Sequence, residues 1–361
     1  MSRRSAKFKK MLFAVLVCCL SFCVPAGSAG AVFTPGGMDG AVAAAESAAV
    51  DTVRSIVTGI AELLAAQLPP AGISLSGGEE YALPCGTAYE EPGFVAYNSA
   101  GEDISAGVTV EGSVCCWKTG SYALSYSVTD PAGGESYTAE RLVNVVPAEL
   151  PETVLREKTI YLTFDDGPCQ YTEKVLDILD KYDVKATFFI VAKEGLPYQD
   201  MMGEIAARGH ALGIHCSDHE YSRLYSSEEY FFEDFMKAQA ILHEKTGLYA
   251  VVSRFPGGSD TAMNFLGHRT QGGFDTIKQR LADMGIRYYD WNVKTEGTDR
   301  SGEDMMHFFV TDVPKYETPI SLQHDTRLYS VNMLERFLQW GLDNGYSFAS
   351  IDSTTPEVHF R

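Results

Sequence analysis

Basic residues are scarce in this chain. Across 361 residues, 29 lysines and arginines face 48 aspartates and glutamates, a formal net charge of −19 at pH 7. Nucleic-acid binders neutralise phosphates with basic patches, so this balance excludes nucleic acid as a partner. Long hydrophobic runs are missing too: the apolar stretch Met11–Val24 is shorter than the ~20 residues needed to span a bilayer. Arg3, Arg4, Lys7, Lys9 and Lys10 precede it and the small residues Ala29-Gly30-Ala31 follow, which is the layout of a secretory signal over residues 1–31. Its cleavage removes five positive charges and no acids, taking the net charge to −24. The mature protein is then expected to be secreted or associated with the cell wall. Membrane contact is expected only if the segment stays uncleaved as an anchor. A disulfide framework is also lacking. Cys18, Cys19 and Cys23 leave with the signal, and Cys85, Cys115, Cys116, Cys169 and Cys216 are too few and odd in number.

What is present is ordinary globular material, 45% hydrophobic and 21% charged, long enough for two domains with a sizeable core. Residues 32–72 are rich in alanine. Val50, Val53, Ile56, Val57, Ile60, Leu63 and Leu64 recur at helical spacing, and Pro69-Pro70 ends the pattern, so a helical spacer is expected. From 73 to 147 short alternating segments such as Tyr122–Val128 and Leu142–Val146 are separated by Gly, Asn, Asp and Pro, which predicts a small all-β sandwich. The run Gly120–Gly133 resembles the last hairpin of bacterial immunoglobulin-like surface domains, which implies a spacer or adhesive module. Pro147–Pro151 reads as a linker.

The remainder, 152–361, alternates strand-like runs (159–164, 186–191, 211–215, 250–254, 287–293, 319–323, 346–351) with helical patterns near 172–183, 198–208, 227–246, 273–284, 302–311 and 332–343. Seven βα units predict an α/β fold with a parallel sheet closed into an irregular (β/α)7 barrel. Sites in such barrels gather at the C-terminal ends of strands.

Four stretches fall at such ends. Thr163-Phe164-Asp165-Asp166-Gly167-Pro168 sets two carboxylates side by side, where each raises the other's pKa unless a cation neutralises them. A solvated Asp-Gly-Pro turn is the alternative. His215 and His219 lie four residues apart, so on one helical turn they point the same way and can grip one metal. Two accidental histidines would show the same spacing. With Asp166 they make a two-His, one-carboxylate set suited to zinc or another divalent transition metal. Arg254-Phe255-Pro256-Gly257-Gly258 offers a permanent cation to orient Asp165, or a plain salt bridge beside a glycine turn. His324-Asp325 follows the run 319–323, placing an imidazole across the barrel as a candidate acid.

Together these stretches resemble the polysaccharide deacetylase family, carbohydrate esterase family 4. Thr163–Pro168 is its first motif unaltered. His215–His219 is its histidine motif with Cys216 in place of a hydroxyl residue, Arg254–Gly258 its Arg-x-Pro-x-Gly motif, and Leu322–Asp325 its closing motif. The resemblance implies a metal held by Asp166, His215 and His219, with zinc expected and cobalt or nickel as alternatives. It implies Asp165 as base, Arg254 as its orienting group and His324 as acid, with Pro256, Gly257 and Leu322 against the substrate. A thiol at Cys216 would compete as a metal ligand. The family's Asp-Trp pair falls where this sequence reads Gly297-Thr298, leaving Asp290 or Asp299 as the expected carboxylate partner of His324, with the preference on Asp299. The implied activity is hydrolysis of N-acetyl groups, a carbon–nitrogen bond other than a peptide bond, in peptidoglycan N-acetylglucosamine. Chitin oligomers, poly-N-acetylglucosamine and acetylxylan are alternative glycans. A degenerate, non-catalytic glycan-binding surface protein is the alternative of another class.

Overall fold

The computed structural model describes residues 38–65, 68–267, 273–297 and 299–360. The expected signal over 1–31, with its three cysteines, lies outside the described residues, as does Thr298. No helix among the described residues is long and apolar enough to cross a membrane.

Met38–Ala65 forms one helix, as its apolar spacing predicts. Val50, Val53, Ile56 and Val57 on that face are exposed. The β-rich segment supplies β1 (Gly72–Leu75), β2 (Glu80–Pro84), β3 (Phe94–Tyr97), β4 (Thr109–Glu111), β5 (Gly120–Thr129) and β6 (Ser136–Val146). β1 pairs with β3, and a second sheet runs β2-β6-β5-β4. Along β5, Leu124, Tyr126 and Val128 are buried while Ser125, Ser127 and Thr129 are exposed, the period of two of a sheet covered on one face.

The rest of the chain builds a parallel sheet from β7 (Thr159–Asp165), β8 (Thr187–Val191), β9 (Ala211–Cys216), β10 (Val252–Ser253), β11 (Arg287–Tyr288), β12 (Val293–Lys294), β13 (Ile320–His324) and β14 (Ser347–Phe348). Its order is β11-β10-β9-β8-β7-β13-β12, and β14 pairs with the first two residues of β7. β11 and β12 stand at opposite ends of that order, yet only Tyr289–Asn292 separates them in the chain. One short segment therefore ties both edges and curls the sheet into a barrel. The run 287–293, expected as one strand, is two. It breaks because the Asp290 N–H turns to the Val358 carbonyl and the Asn292 N–H to that of Ile320.

Tyr161, Phe189, Val252, Tyr289, Ile320 and Ile351 pack into one core cluster. Every residue of β7 is buried, as expected for a central parallel strand covered on both faces. Helices Thr172–Lys181, Met201–Ala207, Glu228–Thr246, Gly273–Asp283, Gly302–Asp312 and Leu328–Asp343 lie near their expected positions. The first buries Val175, Leu176, Ile178 and Leu179, one apolar stripe at helical spacing. Two further helices, Tyr221–Leu224 and Ser259–Gly267, lie outside the stretches whose spacing predicts a helix.

Candidate active site

The alternation of β7 puts Tyr161, Thr163 and Asp165 on the same face of the strand. Arg254, just past β10, is wholly buried against that row. Its Nη1 donates to Asp165 Oδ1 at 2.9 Å and to the Thr163 hydroxyl at 2.6 Å. Nε donates to the Tyr289 carbonyl at 2.9 Å and Nη2 to that of Asp290 at 3.1 Å. Burial weakens the guanidinium's hold on its proton, and the Asp165 carboxylate opposes this. Four fixed hydrogen bonds leave Arg254 one position, so the Asp165 carboxylate is held in place.

Asp166 adopts φ +72°, in the left-handed region that residues other than glycine seldom enter. Its Oδ1 lies 3.4 Å from His215 Nε2 and 3.1 Å from His219 Nε2. His215 reaches this point through a bulge: Ile190 pairs with Ile214 but Val191 with Cys216, which leaves His215 without a partner residue on β8. Its Nδ1 is 2.8 Å from the Arg254 carbonyl. A carbonyl only accepts, so Nδ1 carries the proton and Nε2 turns a lone pair toward Asp166. The turn to His219 is held by Asp234, whose carboxylate accepts the Ser217 and Asp218 N–H groups, both at 2.7 Å. Were both imidazoles protonated, they would outweigh the effect of burial and hold the Asp166 carboxyl far below the usual range; as neutral acceptors they give it no such support.

The ligand atoms of Asp166, His215 and His219 all lie within 4.8 Å of one another. Asp166 Oδ1 is buried and has no hydrogen-bond partner among the described residues. An orphaned carboxylate oxygen facing an imidazole lone pair is a convergence of acceptors, which a divalent cation fits and a hydrogen-bond network does not. Cys216 stands apart from this set. Its thiol is not among the converging ligand atoms, and burial pushes its pKa well above the ordinary value.

His324 ends β13 directly beside Asp165 in register. Its Nδ1 is 2.6 Å from Glu296 Oε2, its backbone N–H donates to Glu296 Oε1 at 2.8 Å, and its Nε2 lies 3.6 Å from Asp166 Oδ2. Burial disfavours the imidazolium, but the Glu296 carboxylate, with Asp165 and Asp166 behind it, raises the pKa of the ring. Arg327 Nη1 donates to the same Glu296 oxygen at 2.9 Å. The expectation that Asp290 or Asp299 partners His324 is thereby corrected. Asp290 is fully buried elsewhere, accepting from the Ser259 N–H and hydroxyl and from the Phe360 N–H. The partner is Glu296, one residue before Gly297-Thr298. A carboxylate two residues past β12 was visible in the sequence, but a search for aspartate alone passes over it.

The structure thus brings Asp165, Asp166, His215, His219, Arg254 and His324 together. Leu322 and Pro256 are buried, and the Tyr225 hydroxyl donates to the Pro256 carbonyl at 2.8 Å. Gly257 is half-buried with φ +78°. Asp325, beside the acid position, is buried against Gly167 and accepts from the Thr172 hydroxyl at 2.5 Å; burial pushes its carboxyl up to about 6.

Residues 153–277 match the polysaccharide deacetylase family, and residues 73–145 match the Ig-like domain of bacterial surface proteins. The crystal structure of the catalytic domain of peptidoglycan N-acetylglucosamine deacetylase from Eubacterium rectale shares 38% sequence identity at a TM-score of 0.54, covering 58% of this chain and 96% of that one. A peptidoglycan-N-acetylglucosamine deacetylase of Bacillus cereus is 27% identical over 252 residues, 66% of this chain and 88% of the relative. A chitooligosaccharide deacetylase of Rhizobium leguminosarum bv. trifolii is 30% identical over 151 residues, 41% of this chain and 63% of the relative.

Proposed function

This chain belongs to the polysaccharide deacetylase family, and from that footing we propose that it hydrolyses N-acetyl groups of a wall glycan outside the cell, with peptidoglycan N-acetylglucosamine as substrate. The observation that carries the proposal is the convergence of Asp166, His215 and His219 beside Asp165 and His324. The first three would hold one divalent ion, zinc by the mixed imidazole and carboxylate donor set. Such an ion, when bound, polarises the acetyl carbonyl and makes a water acidic at neutral pH.

Asp165 is the general base: Arg254 fixes its carboxylate close to the ligand set and leaves it the role of taking the proton of the attacking water. The Gly257 N–H has no hydrogen-bond partner among the described residues and stands in the half-exposed loop after Arg254, so it is available to a developing oxyanion. His324, whose imidazolium Glu296 favours, gives its Nε2 proton to the departing amine. Glu296 also supplies the carboxylate whose lack would have favoured a non-catalytic glycan binder. Acetate release from re-acetylated peptidoglycan and from chitin oligomers, with and without a chelator, tests the proposal. Release from the wall material that stops on chelation is expected. Release that is untouched by chelation, or none from either substrate, would overturn it.

A further inference from the structure

Beside Gly257 lies a groove of about 510 Å³, lined by Gly257, Asp260, Trp291, Lys294, Tyr316 and Phe360. That volume falls within the ~300–1,000 Å³ typical of small-ligand sites. Its last wall is the chain's own tail, held by a series of specific contacts. The Val358 carbonyl accepts the Asp290 N–H at 2.8 Å, the Phe360 N–H donates to the Asp290 carboxylate at 2.8 Å, and His359 stacks on Tyr288 at 3.9 Å. The Phe360 ring fills the space that a side chain at Gly258 would need, so glycine at that position is what lets the tail dock. Phe360 then meets Trp291 edge-on at 4.8 Å, and Trp291 in turn lies 5.6 Å from the Arg254 guanidinium that fixes Asp165. The groove thus shares Gly257 with the candidate active site, and its wall residue Trp291 packs near the buried guanidinium that holds the base. The acid, base and metal roles leave Tyr316, Lys294 and Phe360 unused.

Aromatic faces carry negative charge density and favour the weakly positive C–H edges of a sugar ring, while a rim with one cation and one carboxylate suits its hydroxyls. Lys294, Asp260 and Tyr316 at the rim are exposed. We propose that this groove binds the sugar unit next to the one being deacetylated, and that Phe360 and Tyr316 determine how strongly the enzyme prefers longer glycans. This inference rests on the deacetylase reading and assigns a specificity role to the C-terminal tail.

The test is acetate release by the metal-loaded full chain from N-acetylglucosamine oligomers, from the dimer to the hexamer. In the wild type kcat/KM should rise with length. In Phe360→Ala, and separately in the exposed Tyr316→Ser, the hexamer-to-dimer ratio should fall by about tenfold. A ratio equal to wild type in both variants overturns the proposal. A binding measurement separates it from the deacetylase reading: calorimetric titration of the full-chain Asp165→Asn variant with the hexamer, with and without Phe360→Ala. Weaker binding in the double variant supports the groove, and unchanged binding overturns it. Absence of acetate release from every oligomer by the wild type counts against the deacetylase reading alone.

Discussion

Replacing Glu296 by Gln keeps an oxygen that can accept from His324 but removes the charge that favours its imidazolium. Because Glu296 raises the His324 pKa, losing it lowers that pKa, so the acid form is depleted at lower pH. The alkaline limb of the kcat–pH profile should move down, while Asp299→Asn leaves it in place. A Glu296→Gln profile that superimposes on wild type would remove Glu296 from the acid's support. His324→Ala should cost ~10²–10⁴ in kcat if the ring is the general acid. The metal gives a second, independent readout. His215→Ala deletes a ligand whose proton position is set by the Arg254 carbonyl, so elemental analysis should find most of the bound ion gone. Asp165→Asn should keep the ion and lose turnover, since the amide cannot take a proton. Metal retained by His215→Ala would show that the ligand set is misassigned.

Among the elements, β9 carries the tightest demand. A Cβ on Gly213 would stand 2.5 Å from the Phe189 ring and 3.1 Å from Val252, both in the barrel core. Phe189 also lies 4.2 Å beneath the Arg254 guanidinium, so any shift passes to the group that holds Asp165. Gly213→Ala should therefore lower stability by about 1–3 kcal/mol, read as a lower urea midpoint at unchanged slope, and should reduce kcat as well. An unaltered midpoint would mean that Phe189 turns aside freely. This scale also shows what the sequence makes legible. β7, β9 and β13 are largely apolar strands of five or more residues that end in the motif residues, so both strand and site could be read from one pattern. Arg287–Lys294 is as apolar and aromatic as a strand, but its break is imposed by the tail and by β13, distant segments that no local pattern reports. Glu296 escaped for a similar reason. Its role comes from lying across from His324, and only the closed barrel brings the two together.

At the scale of the whole molecule, a linker at Pro147–Pro151 with no site motif before it implies that residues 152–361 fold alone. The packing qualifies this. Within one compact unit, the Ala148 N–H donates to the Asp283 carbonyl at 2.8 Å, Arg280 Nε to the Trp117 carbonyl at 3.4 Å, and Trp117 meets Tyr249 edge-on at 5.3 Å. Gly86 sits so close to the Met284 carbonyl that no side chain would fit there. Arg287, nearly buried, also donates to the Pro151 carbonyl at 2.7 Å. A chain starting at residue 152 loses all of these, yet the core strands and all the candidate site residues remain. Each hydrogen bond contributes roughly 0.5–1.5 kcal/mol and the aromatic pair a similar amount. The truncated protein should thus fold but melt on the order of 5–10 °C below the full chain. A version starting at Pro147, which keeps the Arg287 and Asp283 contacts, should recover part of the difference. Both should release acetate from short chitin oligomers, while release from insoluble wall material falls if the Ig-like segment adds avidity. Equal melting temperatures for all three chains would show these contacts to be energetically neutral. A folded but inactive truncation would show that the segment before residue 152 builds part of the site.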